Sequence, residues 1–311
     1  MNFNSVTSTS LDDPLYYLRN AQQIIQLCLE HYSDLLLQDE IHSLQQLLSL
    51  DEPTQALLIR MVMRKGLLFR KDKLHYSEVP NLDEAISTLT ETGYLDDQPS
   101  ISISSLCDLS RREECLILLK HLLPDLFLSG PTRKIDIVDT LISTFGNDLP
   151  KRIDEWWADC PFTIIELRCD ALFDRLRLMF FGNLYQSWSE FVLTELGLQR
   201  FERVPLTPES RPFQSRSEVD LYLSLNELQQ RASEGEGIDL LSQYIPPPVE
   251  CSWIDYRRRK VIFQLGREAE RHQQTELALQ LFQQSQYQEA QLRALRILEK
   301  TAPAQQVFAL A

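Results

Sequence analysis

The stretch QALLIRMVMRKGLLFR, Gln55 to Arg70, combines a helical apolar repeat with a cluster of basic residues. Its Leu, Met and Val residues recur at roughly helical spacing, which predicts one amphipathic helix that runs out through Gly66. Between Thr54 and Ser77 there are six basic residues and a single acid, Asp72. The six are Arg60, Arg64, Lys65, Arg70, Lys71 and Lys73. The cluster is either a solvated face that balances acidic neighbours or a surface that contacts a nucleic-acid backbone.

The segments around this stretch predict a winged-helix-like domain over residues 1–99. Asp51, Glu52 and Pro53 precede the basic helix, and an acidic first turn with an early proline is a helix-start signal. Two further helices are predicted before it, at residues 12–37 and 39–50. After it, we expect a strand at LHYSEV (Leu74–Val79), a helix at residues 82–92 and a short extended piece at Tyr94–Leu95.

The composition favours a mainly α protein of two or three domains. The chain has 311 residues, 43% of them hydrophobic, and only nine glycines. Acidic residues outnumber basic ones 45 to 31, so the formal net charge is −14. This balance argues against a protein that coats nucleic acid, and any such contact must come from local basic patches.

Cysteine usage and the N-terminal sequence predict a soluble, cytoplasmic protein. None of the six cysteines forms a C-x-x-C pair, so we expect buried free thiols in a reducing compartment. The N-terminus lacks the basic start and apolar run of a signal peptide. No apolar run is long enough to span a membrane, so we expect no membrane contact.

Two smaller basic spots lie between residues 100 and 160, where further helices are predicted. Arg133 and Lys134 fall in the first turn of a helix, where basic residues oppose the helix dipole. They suit a helix start that binds an anion, or they are simply solvated. Lys151 and Arg152 form the second spot, which Asp154 dilutes.

From residue 161 to 311 the pattern predicts pairs of helices. In ELALQLFQQSQYQEAQLRALRIL, the spacing of Ala278 and Phe282 on one helix and of Ala290 and Ala294 on the next is typical of tetratricopeptide-like packing. Near the start of this region five aromatic residues are expected in the core; they are Phe180, Phe181, Tyr185, Trp188 and Phe191, the last of which lies outside the residues that the structure describes.

The sequence contains no recognisable catalytic motif. There is no nucleophile elbow, phosphate-binding loop or dinucleotide fingerprint. Many metal-dependent nucleases place an acidic residue two positions before a lysine, so that both groups reach one metal-bound water. None of the eight lysines has an acid at that position. We therefore expect no catalytic residue and no metal site in this chain.

Several segments together resemble the N-terminal half of the Fanconi-associated nuclease family. They are ALLIRMVMRKG with LHYSEV after it, LTETGYL, KIDIVDTLI, LRLMFFGNLYQSWSEFVLTELGLQRFE and LGREAERHQQTELALQLFQQSQYQEAQLRALRIL. The resemblance implies a SAP-like DNA-binding domain at residues 100–160 and a tetratricopeptide-like domain at 161–311. In the family a VRR-NUC nuclease domain follows, which cuts 5′ flaps and other branched DNA with Mg²⁺ or Mn²⁺ in DNA repair.

The resemblance therefore implies a DNA-positioning role beside a C-terminal nuclease domain, in a bacterial, nucleoid-associated protein. The expected partner is branched or flap double-stranded DNA. Ten residues are the candidate phosphate contacts: Arg60, Arg64, Lys65, Arg70, Lys71, Lys73, Arg133, Lys134, Lys151 and Arg152. The alternative is a helical protein–protein scaffold without DNA binding, which the acidic net charge favours.

Overall fold

Three helices open the described part of the chain: α1 (Tyr16–His31), α2 (Gln38–Ser49) and α3 (Glu52–Val62). The start signal of α3 works as the sequence predicts, because the Asp51 side chain accepts a hydrogen bond from the Thr54 backbone N–H, with Pro53 in the first turn. Helix α3 ends at Val62, earlier than expected. Gly66 then adopts a φ of +86°, a conformation that glycine accepts without strain.

The computed structural model describes residues 14–126, 132–147, 149–188 and 207–301. The chain forms two compact units, residues 1–206 and 207–311. Most of the described residues are helical, which confirms the prediction of a mainly α protein. No helix in the described ranges is long and apolar enough to cross a membrane.

Strands in the first unit are short and antiparallel. They are β1 (Leu68–Arg70), β2 (Leu95–Asp96), β3 (Ser100–Ile101), β4 (Lys151–Arg152) and β5 (Ile164–Leu167). One sheet has the order β1-β5-β2, in which Phe69 lies opposite Ile165 and Leu95 opposite Leu167. The other sheet pairs β3 with β4.

The strand predicted at LHYSEV is wrong. Lys71–Lys73 forms a 3-10 turn, and residues 74–79 follow as a loop that closes with a hydrogen bond from Val79 N–H to the Tyr76 carbonyl. The segment that pairs in the sheet is β1, which comes directly before this turn.

The remaining helices of the first unit are α4 (Leu82–Glu91), α5 (Ile103–Leu109), α6 (Arg112–Leu122), α7 (Lys134–Phe145), α8 (Ile153–Trp156) and α9 (Asp170–Phe181). Helices α5 to α8 surround a core that includes Leu118, Leu141 and Trp156 and also takes in Ile164 of β5. The first unit therefore extends past residue 160, where we expected a domain boundary. The cause is β5, which pairs with two strands from the first hundred residues.

The aromatic residues of α9 and the following segment are only partly internal. Trp188 is buried against Phe173, with ring centroids 5.3 Å apart. Phe180 and Phe181 are half-buried. Tyr185 is 76% exposed, so its placement in the core is wrong. Phe173, which the pattern did not single out, is the fully buried ring.

The second unit contains α10 (Arg216–Ser233), α11 (Ile238–Leu241), α12 (Ser252–Arg271), α13 (Thr275–Ser285) and α14 (Gln288–Thr301). Helix α12 packs on both α10 and α13, and α13 packs on α14. Ala278, Phe282, Ala290 and Ala294 are all buried, as their spacing predicts. All six cysteines are free, and four of them are buried.

Candidate nucleic-acid interface

The turn between α3 and β1 carries two exposed cations of the basic cluster. Arg64 and Lys65 follow the end of the helix and precede Gly66, and both side chains are exposed. The apolar residues of α3, such as Leu57 and Leu58, are fully buried and hold the helix in the core, whereas the turn that follows it is exposed.

Neither cation of this turn is neutralised by a carboxylate. Within the described residues, Arg64 and Lys65 have no ion pair; Arg64 instead approaches two aromatic side chains. Its Nη1 lies 3.4 Å from the Tyr76 hydroxyl, and its guanidinium lies 5.6 Å from the centre of the Phe69 ring. These two positive charges therefore remain available to an external anion.

Arg60 lies one helical turn earlier and has a different role. Its guanidinium stacks 3.9 Å from the centre of the Tyr17 ring and forms an ion pair with Glu78, with Nη2–Oε1 at 2.8 Å. The Tyr17 hydroxyl also donates to Glu78 Oε1, at 2.9 Å. Burial acts to lower the pKa of Arg60, but the contacts with Glu78 and Tyr17 raise it overall. Arg60 thus joins α1, α3 and the loop after β1.

Arg70 is buried and fully engaged inside the protein. Its side chain is 8% exposed, stacks 3.7 Å from the centre of the Phe162 ring and pairs with Asp72 at 2.9 Å and Glu114 at 2.6 Å. With so little exposed surface and both carboxylates already in contact, the Arg70 guanidinium has no free side for a phosphate.

Lys71 is partly exposed and Lys73 is exposed, but each faces a carboxylate. Lys71 pairs with Asp83 at the start of α4, and Lys73 lies 3.5 Å from Asp72. Exposed pairs of this kind are weak. A phosphate can therefore displace the carboxylate, at the cost of separating the pair.

At the N-terminus of α7, the basic residue Arg133 is neutralised by Asp136 of the same helix. Arg133, 79% exposed, donates from Nη2 to Asp136 at 2.8 Å, and the Arg133 backbone N–H also donates to Asp136. Lys134 Nζ donates to the Ser110 carbonyl at 2.8 Å. The expected anion position at this helix start is thus already occupied by a carboxylate.

The pair Lys151 and Arg152 forms strand β4 rather than a cationic spot. Lys151 Nζ lies 4.6 Å from the centre of the Trp156 ring, and Arg152 pairs with Asp154 at 3.3 Å.

A dense basic run on α12 is also largely internal. Arg258 is buried beside Asp255, Arg259 pairs with the same acid at 2.7 Å, and Arg257 stacks 4.0 Å from the centre of the Tyr222 ring. Lys260 is the exposed member of the run. Charge density along the sequence is therefore a poor guide to surface charge here.

The described residues contain no group of three or more His, Cys, Asp or Glu side chains that could hold a metal ion.

Tyr76 is the neighbour of the exposed turn that sequence reasoning missed. Because Tyr76 was predicted to lie in a strand, the sequence did not indicate that its side chain lies beside the exposed turn.

Comparison with known proteins identifies relatives over almost the whole chain. The family model for the FAN1 HTH domain matches residues 15–96, which include the basic turn. The Fanconi-associated nuclease 1 homolog of Pseudomonas aeruginosa is 39% identical over 307 residues, or 98% of this chain and 54% of that protein. The homolog of Oryza sativa subsp. japonica is 30% identical over 66% of this chain and 22% of that protein.

A solved structure has the same fold. The crystal structure of paFAN1 bound to a 2-nucleotide 5′ flap DNA with a gap matches with a TM-score of 0.87 and 39% identity. The match covers 97% of this chain and 54% of that chain. The present chain thus spans about half the length of the relatives that it matches.

Proposed function

This chain belongs to the Fanconi-associated nuclease family, as an N-terminal part of a bacterial member, and on that premise we propose that it binds and positions branched DNA for a structure-specific repair nuclease. The substrate class is DNA with a 5′ flap, because paFAN1 is bound to such DNA in the matching structures.

One observation carries this proposal. Arg64 and Lys65 are exposed side by side, have no carboxylate partner within the described residues, and lie in the segment that matches the family's HTH domain. The chain is otherwise acidic, with a net charge of −14. Phosphates bind where cations are free, and each contact releases counterions from the DNA.

The remaining candidate phosphate contacts differ in the group that each side chain contacts within the protein. Four candidates are paired with nearby carboxylates: Lys71, Lys73, Arg133 and Arg152. Their contacts with DNA should be weaker than those of Arg64 and Lys65, because a phosphate must first displace the acid. Lys134 and Lys151 are half-buried and held by a carbonyl and an aromatic ring. Arg60 and Arg70 support the fold around the turn.

None of these contacts reads base identity. Phosphate contacts set the position and orientation of the duplex and carry no sequence information. We propose a winged-helix-like assignment for the region of the HTH match, a SAP-like assignment for residues 100–160 and a tetratricopeptide-like assignment for the helical pairs after residue 207. The protein would act at the nucleoid.

Cutting belongs to a separate nuclease domain in this proposal, with Mg²⁺ or Mn²⁺ as its cofactor. The support is the sequence itself, in which no lysine has an acid two positions earlier. The present chain alone would then bind a 5′ flap without cleaving it in either metal.

Binding is tested by fluorescence anisotropy with labelled flap DNA and the corresponding plain duplex. We expect Arg64→Glu combined with Lys65→Glu to weaken binding to both DNAs, because phosphates are present in both. The matched control is Lys260→Glu with Arg271→Glu, two exposed cations of α12, which changes the net charge equally. An equal loss in both double variants would mean that only net charge matters.

The second candidate function is a helical protein–protein scaffold, which the net charge of −14 favours. Unchanged affinity in the Arg64 and Lys65 double variant, or no DNA binding by the wild-type chain, would place the scaffold ahead.

A further inference from the structure

Tyr76 lies against the exposed cationic turn, and its environment differs from that of an ordinary surface tyrosine. Its hydroxyl is 3.4 Å from Arg64 Nη1, and its ring centre is 5.6 Å from the Arg60 guanidinium. The side chain is half-buried between these two arginines.

The loop that carries Tyr76 is held in place by hydrogen bonds to Glu78. Glu78, two residues later, accepts hydrogen bonds from both Arg60 Nε and the Tyr17 hydroxyl, each at 2.9 Å. A backbone hydrogen bond from Val79 N–H to the Tyr76 carbonyl closes the turn. The ring of Tyr76 is therefore held in place by groups that are themselves engaged in contacts within the protein.

The contact between Arg64 and Tyr76 does not use the hydrogen of the Tyr76 hydroxyl. Arginine can only donate hydrogen bonds, so the Tyr76 hydroxyl accepts from Arg64 and keeps its own hydrogen for another acceptor. At 3.4 Å the contact is longer than the usual N–H···O range, so little is lost when both groups turn towards a third atom.

We infer that Arg64 and Tyr76 bind one DNA phosphate together, the guanidinium supplying charge and the phenolic hydroxyl a second donor. This inference rests on the proposed function of the turn and adds a neutral binding residue to it. The ligand is a backbone phosphodiester, and the contact does not depend on base sequence.

Tyr76→Phe tests the inference, because it removes the hydroxyl and keeps the ring against Arg60. We expect flap DNA to bind about three- to tenfold more weakly, as for the loss of one hydrogen bond. The slope of log affinity against log salt should stay unchanged, because no charge is removed. Arg64→Ala should lower that slope by about 0.9. The matched control is Tyr244→Phe, an exposed tyrosine whose ring lies 5.2 Å from Arg231 in the second unit.

A double-mutant cycle between Tyr76→Phe and Arg64→Ala decides whether the two residues share a phosphate. Sharing predicts that the combined loss is smaller than the product of the two single losses. The inference is overturned by independent effects, by wild-type affinity of Tyr76→Phe, or by a fall in its salt slope equal to that of Arg64→Ala. If Arg64→Ala itself leaves affinity and slope unchanged, the proposed function fails as well, and the two failures are thereby distinguished.

Discussion

The guanidinium of Arg70 and the carboxylate of Glu114 form a largely buried ion pair, with Nη1 2.6 Å from Oε2, that joins strand β1 to helix α6. Glu114 also accepts a hydrogen bond from the Arg111 backbone N–H at the start of that helix. One carboxylate thus caps a helix and neutralises a cation from a distant segment, which ties the HTH-matching region to the helices that follow.

Arg70→Ala should destabilise the first unit by about 3–5 kcal/mol, because removing one partner leaves a buried charge unpaired. Urea unfolding of wild type and variant measures the loss. Lys73→Ala is the control; its side chain is 46% exposed, and the cost should stay within about 0.5 kcal/mol. Equal stability of all three proteins would contradict the structural role of Arg70.

The ion pair of Glu78 with Arg60 should make stability depend on pH. Burial acts to raise the pKa of Glu78, but hydrogen bonds from its own backbone N–H, Arg60 and Tyr17 lower it below the ordinary value. A lowered pKa in the folded state contributes stability above the unfolded pKa, about 4.3, which is lost as the pH falls through the folded value.

Glu78→Gln isolates this contribution. We expect the variant to be less stable than wild type by about 2 kcal/mol near neutral pH. The difference should shrink as the pH falls below about 4. The measurement is chemical unfolding of both proteins across that range, and a difference independent of pH would show that the Glu78 charge is not involved.

The core beneath α9 should depend on Phe173 more than on Phe181. Phe173 is 1% exposed and packs against Trp188, whereas Phe181 is half-buried. Phe173→Ala should cost about 3–5 kcal/mol of unfolding free energy, and Phe181→Ala clearly less. Thermal melts of the two variants test the order, and a larger loss for Phe181 would reverse this assignment.

In the second unit, the ring of Phe282 on α13 packs closely against Gly266 on α12, which has no side chain. A Cβ at position 266 would lie 2.8 Å from Phe282 Cε1, closer than real contacts allow. Gly266→Ala should therefore destabilise by about 1–3 kcal/mol, although Ala is the better helix former. In a Phe282→Leu background the same change should become neutral or stabilising. Equal effects in both backgrounds would rule out the clash.

Local features of the fold could be predicted from the sequence. The start signals at Asp51 and Pro53 placed the beginning of α3 correctly, and the buried spacing of Ala278 and Phe282 placed the last helices. The position of β1 could not be predicted, because its partner β5 lies far along the chain and pairing across such distances leaves no local pattern.

The same limit applies to the basic cluster. Arg60, Arg64 and Arg70 look alike in a charge pattern, yet only Arg64 of the three has no carboxylate partner within the described residues. Besides Asp72, which pairs with the nearby Arg70, the partners of the others are Glu78 and Glu114, 18 and 44 residues away in sequence. Which cations face solvent is thus decided by long-range pairing, which requires the structure.

The salt dependence of flap-DNA binding tests most directly whether the turn at Arg64 and Lys65 contacts phosphate. Affinity is measured by anisotropy at several salt concentrations for wild type, for Arg64→Glu with Lys65→Glu, and for the α12 control Lys260→Glu with Arg271→Glu. Two lost phosphate contacts should reduce the slope of log affinity against log salt by up to about 1.8 in the first variant, with unchanged helical content, and leave the control near wild type. Identical slopes for wild type and the Arg64 and Lys65 variant would contradict the account.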